Sequence, residues 1–179
     1  MPFTDLLRMT VLLAGGSATV LAAITVLAAN REDDTRTLIV AAIWWTAGAV
    51  IGLILGRRKQ AADAMRPLLS GARTSITLPS STPGRVAIEK LWPLGVFAVI
   101  AGVVGFIYPG VAAIGTGFAL AAALAFRARE GAVTAIEERD GIRFHVEPGS
   151  ALQPVELIRT PGLRRDRPPG GHQPPPPRA

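Results

Sequence analysis

Three stretches of this chain, Met9 to Ala29, Leu38 to Gly56 and Leu91 to Phe126, contain no Asp, Glu, Lys or Arg. About 20 apolar residues rising 1.5 Å each cross a ~30 Å hydrocarbon layer, and in that layer each backbone polar group needs a partner inside its own segment or barrel. An all-α membrane bundle is the fold class these runs dictate. The same stretches also lack His, Asn and Gln, the side chains that, with buried carboxylates, mark proton paths and ion sites within membranes. No catalytic, cofactor-binding or metal-binding residue is assigned.

The first run has one alternative reading, a signal peptide with Arg8 as its basic start and Ala28-Ala29 near a cleavage site. It is longer than the usual apolar core of such peptides, and Leu27 stands where a small residue is wanted, so a retained helix over 9–29 is expected. The second span, 37–56, stops against Arg57, Arg58 and Lys59. The third run is about twice the length of one crossing and is interrupted by Tyr108-Pro109-Gly110. Pro ends a helical ladder and Gly permits a reversal, so two further spans are expected, 91–107 and 110–127, with a re-entrant hairpin as the alternative. The expectation is four transmembrane helices arranged as two helical hairpins, in a domain covering 1–129 with a loop over 57–90.

Of the 19 basic residues only Lys59 and Lys90 are Lys, and most flank the apolar runs. Such a distribution suits cytoplasmic loops facing anionic lipid better than nucleic acid, which is not an expected partner. The 57–90 loop carries Arg57, Arg58, Lys59, Arg66, Arg73, Arg85 and Lys90, whereas Asn30 to Thr37 sets only Arg31 and Arg36 against Glu32, Asp33 and Asp34. Excess Lys and Arg stays inside, so the long loop and both termini are expected in the cytoplasm of a bacterial cell. Cys is absent, which removes disulfide and thiol chemistry.

Gly48, Gly52 and Gly56 recur every fourth residue and line one face of the second span. Lipid tails are as apolar as Leu, so helices associate through close van der Waals approach, which Gly permits. Gly102, Gly105 and Gly117 continue the theme and complete the candidate helix-packing residues, with homo-oligomerisation as the sharper reading of the same pattern. Trp44 and Trp45 lie inside the second span, either packed or lining an apolar groove.

Beyond Arg129 the hydrophobic period changes. Val133 to Glu138 and Ile142 to Glu147 flank Arg139-Asp140-Gly141, which suits a β-hairpin with Gly141 left-handed and Ile136 opposite Phe144. A third strand is expected at Val155 to Arg159, giving a small cytoplasmic β element over 130–162. So few strands do not bury a core alone, so Ile136, Phe144 and Val146 are candidates for docking on helix ends, lipid or a partner. His145 and His172 have no neighbouring ligand that would suggest a metal. The 163–179 tail, basic and rich in Pro and Gly, is expected to be disordered.

No nucleotide-binding, hydrolase or zinc-protease motif occurs in its required context. The expected function is therefore a non-enzymatic accessory or scaffold protein with a membrane-protein partner. The alternative is a small oligomeric transporter, channel or holin-like pore former.

Overall fold

A computed structural model describes residues 1–74, 83–147 and 155–161. Along the chain run α1 (Phe3–Arg31), α2 (Thr35–Leu55), α3 (Arg58–Ser70), β1 (Arg73–Thr74), α4 (Pro83–Ile107), α5 (Pro109–Asp140), β2 (Ile142–Val146) and β3 (Leu157–Pro161). Four of the helices, α1, α2, α4 and α5, are long and apolar enough to cross a membrane. The break in the third apolar run falls where expected: α4 ends at Ile107, and Pro109 occupies the first turn of α5, where its missing N–H costs nothing.

The helices are organised around α5. Of its most apolar stretch 39% is buried, against 11% for α4, and both α1 and α2 pack more extensively on α5 than on each other. Sequence-adjacent pairing is thus a secondary feature of the bundle. The α4–α5 pair does meet closely at its turn, where a Cβ on Gly105 would stand 2.6 Å from that of Ala112.

α1 begins at Phe3, well before the start of its charge-free run. Phe3, Leu6, Leu7 and Thr10 are spaced to share one helix face, and all four are buried, so packing extends the helix beyond the apolar span. Between α2 and α3 the chain does not continue as one helix. Arg57 takes extended backbone angles and caps a separate α3, which keeps Pro67 inside its last turns.

The expected hairpin is corrected. Val133 to Glu138 is not a strand, because α5 runs on through it to Asp140. The segment after Phe126 is rich in Ala, Glu and Arg, which lose little freedom in a helix, and Val133 at 0% exposure sits on the helix face that points into the core. Gly141 is left-handed (φ 62°), but as the residue that stops the helix: its N–H bonds back to the carbonyl of Glu137. Ile136 therefore does not pair with Phe144.

β2 pairs instead with β3, antiparallel, with Phe144 opposite Arg159 and Val146 opposite Leu157. The third strand is thus found close to its expected place, at 157–161. β1, from the segment expected to be a loop, adds to β3 in parallel, giving the order β1-β3-β2. The far edge of β2 is covered by the N-terminus: Val146 N–H donates to the Met1 carbonyl at 2.8 Å and Pro2 bridges His145. The expected tail, 163–179, lies outside the described residues.

Candidate functional site

At the sheet end, Phe144 (2% exposed) and Val146 (0%) alternate with exposed Arg143 and half-buried His145, as a strand's period of two requires. They face inward. With Ile142 and Leu157 they cover Met1 just before α1, Phe3, Leu6 and Leu7 of α1, Met65 of α3, Val86 of α4 and Val133 of α5, and Ile136 packs against the same cluster. The apolar face singled out in the sequence thus docks on the ends of the chain's own helices. Elements from both sides of residue 129 build this core.

The polar groups here are used in joining the pieces. Glu137, at the end of α5, accepts the backbone N–H of Phe144 at 2.9 Å, stitching helix to strand. Thr160 donates its hydroxyl proton to the Arg143 carbonyl (3.1 Å), so the 3.2 Å contact between His145 Nδ1 and Thr160 Oγ1 is made with the ring N–H as donor. Burial, then the N-terminal ammonium and Arg143, hold the His145 pKa below its ordinary value.

What the sheet end leaves outward is its β1 edge and the C-terminal part of α3. A cleft of about 260 Å³ lies between them, lined by Pro67, Leu68, Arg73, Glu147, Val155 and Glu156. Unlike the sheet's inner face, it combines apolar wall with charges of both signs.

Within the bundle, the Gly face of α2 lies against α5. A Cβ on Gly48 would come within 2.6 Å of the Gly117 carbonyl oxygen, one on Gly52 within 2.8 Å of that of Ala121, and one on Gly56 within 3.0 Å of the Ala128 Cβ. Gly117 is itself covered by the Trp44 indole, while Gly102 faces Ile24 and Leu21 of α1 at ordinary contact distance. All six glycines therefore lie at contacts inside the chain.

The tryptophans do more than fill space. Trp44 Nε1 donates to the Ile114 carbonyl (3.1 Å) and Trp45 Nε1 to that of Ala113 (3.0 Å), so two successive indoles bond two successive carbonyls of α5. A buried indole needs such a partner, and an adjacent Trp pair within an apolar run is the one sequence signal that pointed to it. Trp44 also meets Phe118 edge to face, with ring centroids 5.5 Å apart. Above this contact, towards the ends where α2 and α5 begin, an open groove of about 530 Å³ is walled by Val40, Ala41, Trp44, Ala113, Ile114 and Phe118. Arg36 stands at its rim beside Thr37, a charged residue against a mainly apolar wall. A groove at the tryptophans is one of the two sequence expectations for them, but its α5 wall has no counterpart there.

Hydroxyls in the helices turn inward on their own backbone. Thr10, Ser17, Thr19, Thr25, Thr46 and Thr116 each donate to the carbonyl four residues earlier, at 2.7–3.0 Å. Among the described residues no three His, Cys, Asp or Glu side chains cluster as a metal site would require. In comparisons with known proteins, no family model, no curated protein and no solved structure matches this chain.

Proposed function

We propose that this chain is a non-enzymatic accessory or scaffold protein of a bacterial cytoplasmic membrane that presents its sheet end to a membrane-protein partner in the cytoplasm. The observation that carries the reading is the state of the polar groups along the helices. Hydroxyls there bond to their own helix, and the contacts between helices are made by Gly, Ala, indole groups and the aliphatic Leu21 and Ile24, so among the described residues the bundle has no set of side chains placed to move a proton or pass an ion. A chain of this kind works through its surfaces.

The orientation rests on charge. Arg57, Lys59 and Arg66 lie at the end that carries the sheet, and Arg127 and Arg129 follow the last apolar run towards it. That excess favours the cytoplasmic side and contact with its anionic lipid. Because Phe144 and Val146 are covered by the chain's own helices, the partner contact falls on the α3 and β1 side, at the cleft between Leu68 and Arg73.

One observation favours the pore-forming alternative: α4 is the least covered of the spanning helices, which leaves a broad face for a second copy. The two readings separate in one pair of measurements. The scaffold reading expects full-length protein to co-purify stoichiometrically with one membrane complex, and expects Leu68→Glu or Arg73→Glu to remove that complex while the fold is kept. Ion flux through vesicles containing the purified chain alone would replace it with the pore-forming reading.

A further inference from the structure

We propose that the groove between the first turns of α2 and α5 holds one acyl chain of an anionic phospholipid, with the lipid phosphate on the Arg36 guanidinium. This site lies at the opposite end of the bundle from the sheet and does not depend on the scaffold reading.

The groove has the two-part character of such a lipid. Its walls are aliphatic and aromatic, from Val40 and Ala41 on α2 and from Ala113, Ile114 and Phe118 on α5. Apart from Arg36, their donors are already used: the indole N–H groups go to the carbonyls of Ala113 and Ile114, and the Thr37 hydroxyl donates to Asp34, so the wall offers a solute no free donor. Water gains little there, and an aliphatic chain gains a dry surface. A volume of about 530 Å³ exceeds what a rotamer change of one wall residue would close, and it is open on its side rather than sealed.

The charge is at the rim. Arg36 is exposed, lines the groove and makes no ion pair among the described residues. Asp34, two residues before it, accepts the hydroxyl and the backbone N–H of Thr37, and these, with smaller contributions from the backbone and the charge of Arg36, hold its pKa below the ordinary carboxylate value. Glu32 and Asp33 belong to the same turn but do not line the groove. An anion entering along the wall therefore meets the guanidinium first, and Arg offers a planar fork suited to phosphate.

The spacing fits as well. Arg36 and Trp44 are eight positions apart on one helix, which sets them about 12 Å apart along its axis. With phosphate at Arg36, the first methylenes of an acyl chain reach Trp44 and Phe118. A chain seated there completes the surface that α2 and α5 leave open at this end.

The test uses the Trp44–Trp45 pair as the reporter. In full-length Trp92→Phe protein the remaining indoles, Trp44 and Trp45, both bond the α5 wall of the groove, and bromines on an acyl chain quench them by contact. The protein is reconstituted in phosphatidylcholine containing increasing dibrominated phosphatidylglycerol, and separately in phosphatidylcholine with increasing dibrominated phosphatidylcholine. One charge at a membrane surface supports a preference of about fivefold for the anionic lipid. Arg36→Gln should bring that preference to unity without changing the unfolding transition.

Gly110→Leu supplies an independent check. A Cβ on Gly110 meets nothing within 4 Å, so the larger side chain enters open space at the groove and not another backbone. It should reduce contact quenching by both lipids. Equal quenching by the two brominated lipids in the starting protein, or a preference that survives Arg36→Gln, would overturn the proposal. Displacement of the brominated lipid by free oleate as readily as by phosphatidylglycerol would also overturn it, and would assign the groove to a free fatty acid.

Discussion

The two ends of α5 are packed by different rules. Towards the sheet, its contacts are with large side chains: Val133 is buried under Phe144, Val146, Met1, Leu7 and Val86. Nearer its start, the contacts are mostly small, Gly117 on Gly48, Ala121 on Gly52 and Ala112 on Gly105, with Leu21 and Ile24 of α1 the large side chains among them, and large residues such as Leu12, Ile43, Val99 and Phe106 point outward. Water drives large apolar groups together, at about 25 cal/mol per Å² removed from it. Lipid supplies no such drive, so there the helices must gain from close contact, and large side chains are free to face the solvent. One helix thus carries two kinds of packing, the pair expected of a helix that starts in lipid and ends in water.

This contrast fixes what substitutions should do, and each outcome can break it. The largest effect is expected at the sheet end. Phe144→Ala removes an aromatic side chain 2% exposed and should cost about 3–5 kcal/mol, a large share of an ordinary domain's stability. Equilibrium unfolding in mild detergent measures it. A loss below about 1 kcal/mol would show that this cluster is not packed as a water-facing core.

Next comes Gly52→Leu, where a Cβ already falls 2.8 Å from the Ala121 carbonyl oxygen and 2.9 Å from its Cα. Backbone cannot give way as a side-chain tip does, so at least the 1–3 kcal/mol typical of overpacking is expected, with α2 parting from α5. Gly95→Leu is the paired control, since nothing lies within 4 Å of its Cβ position, and it should be tolerated. If the two behave alike, close approach of α2 to α5 is not what holds the bundle.

A smaller change is expected from Asp34→Ala, which removes the cap that receives the Thr37 N–H at the start of α2. A loss of about 1 kcal/mol is usual for such a cap. Hydrogen exchange should show it as earlier opening of the first turn of α2, with the sheet end unaffected.

The smallest effect is a pH dependence confined to the sheet end. His145 has its folded pKa below the ordinary 6.5, by burial first and then by the N-terminal ammonium and Arg143. The unfolded chain thus binds the proton more readily, so stability is fully present above pH 6.5 and is lost as pH falls from there through the folded pKa. His145→Gln should flatten that part of the profile. An unchanged slope would assign the dependence to another group.

How much of this was legible in the sequence follows the same division. The four spans were legible because a charge-free run of that length has few other uses, and the break at Tyr108-Pro109 because Pro has no N–H to continue a ladder. The inward face of Phe144 and Val146 could be read from alternation alone. Residues 133–138 could not, since Val133 and Ile136 fit both a strand's alternation and a helix's spacing of three. The choice was made by contacts distant in sequence: Val133 against α1 and α4, and β2 against β3. Gly141 illustrates the ambiguity, for a left-handed Gly suits a hairpin loop and a helix end equally. Of the α2–α5 groove only the Trp44 wall was legible, because the groove joins Arg36 and Trp44 to Ile114 and Phe118 through packing that no local pattern encodes.

The claim that the two regions sit in different solvents is tested most directly by thiol labelling, for which the absence of native Cys is ideal. Single Cys substitutions at Asp33, Val99 and Asp63 sample the turn between α1 and α2, the outward face of α4 and the exposed side of α3. With an impermeant maleimide on intact cells, Asp33→Cys should react, while Asp63→Cys should react only after the membrane is opened. Val99→Cys should resist in both conditions although Val99 is 66% exposed in the protein itself, because lipid covers it. Labelling of Val99→Cys in an intact bilayer, or of Asp33→Cys and Asp63→Cys from the same side, would contradict the account.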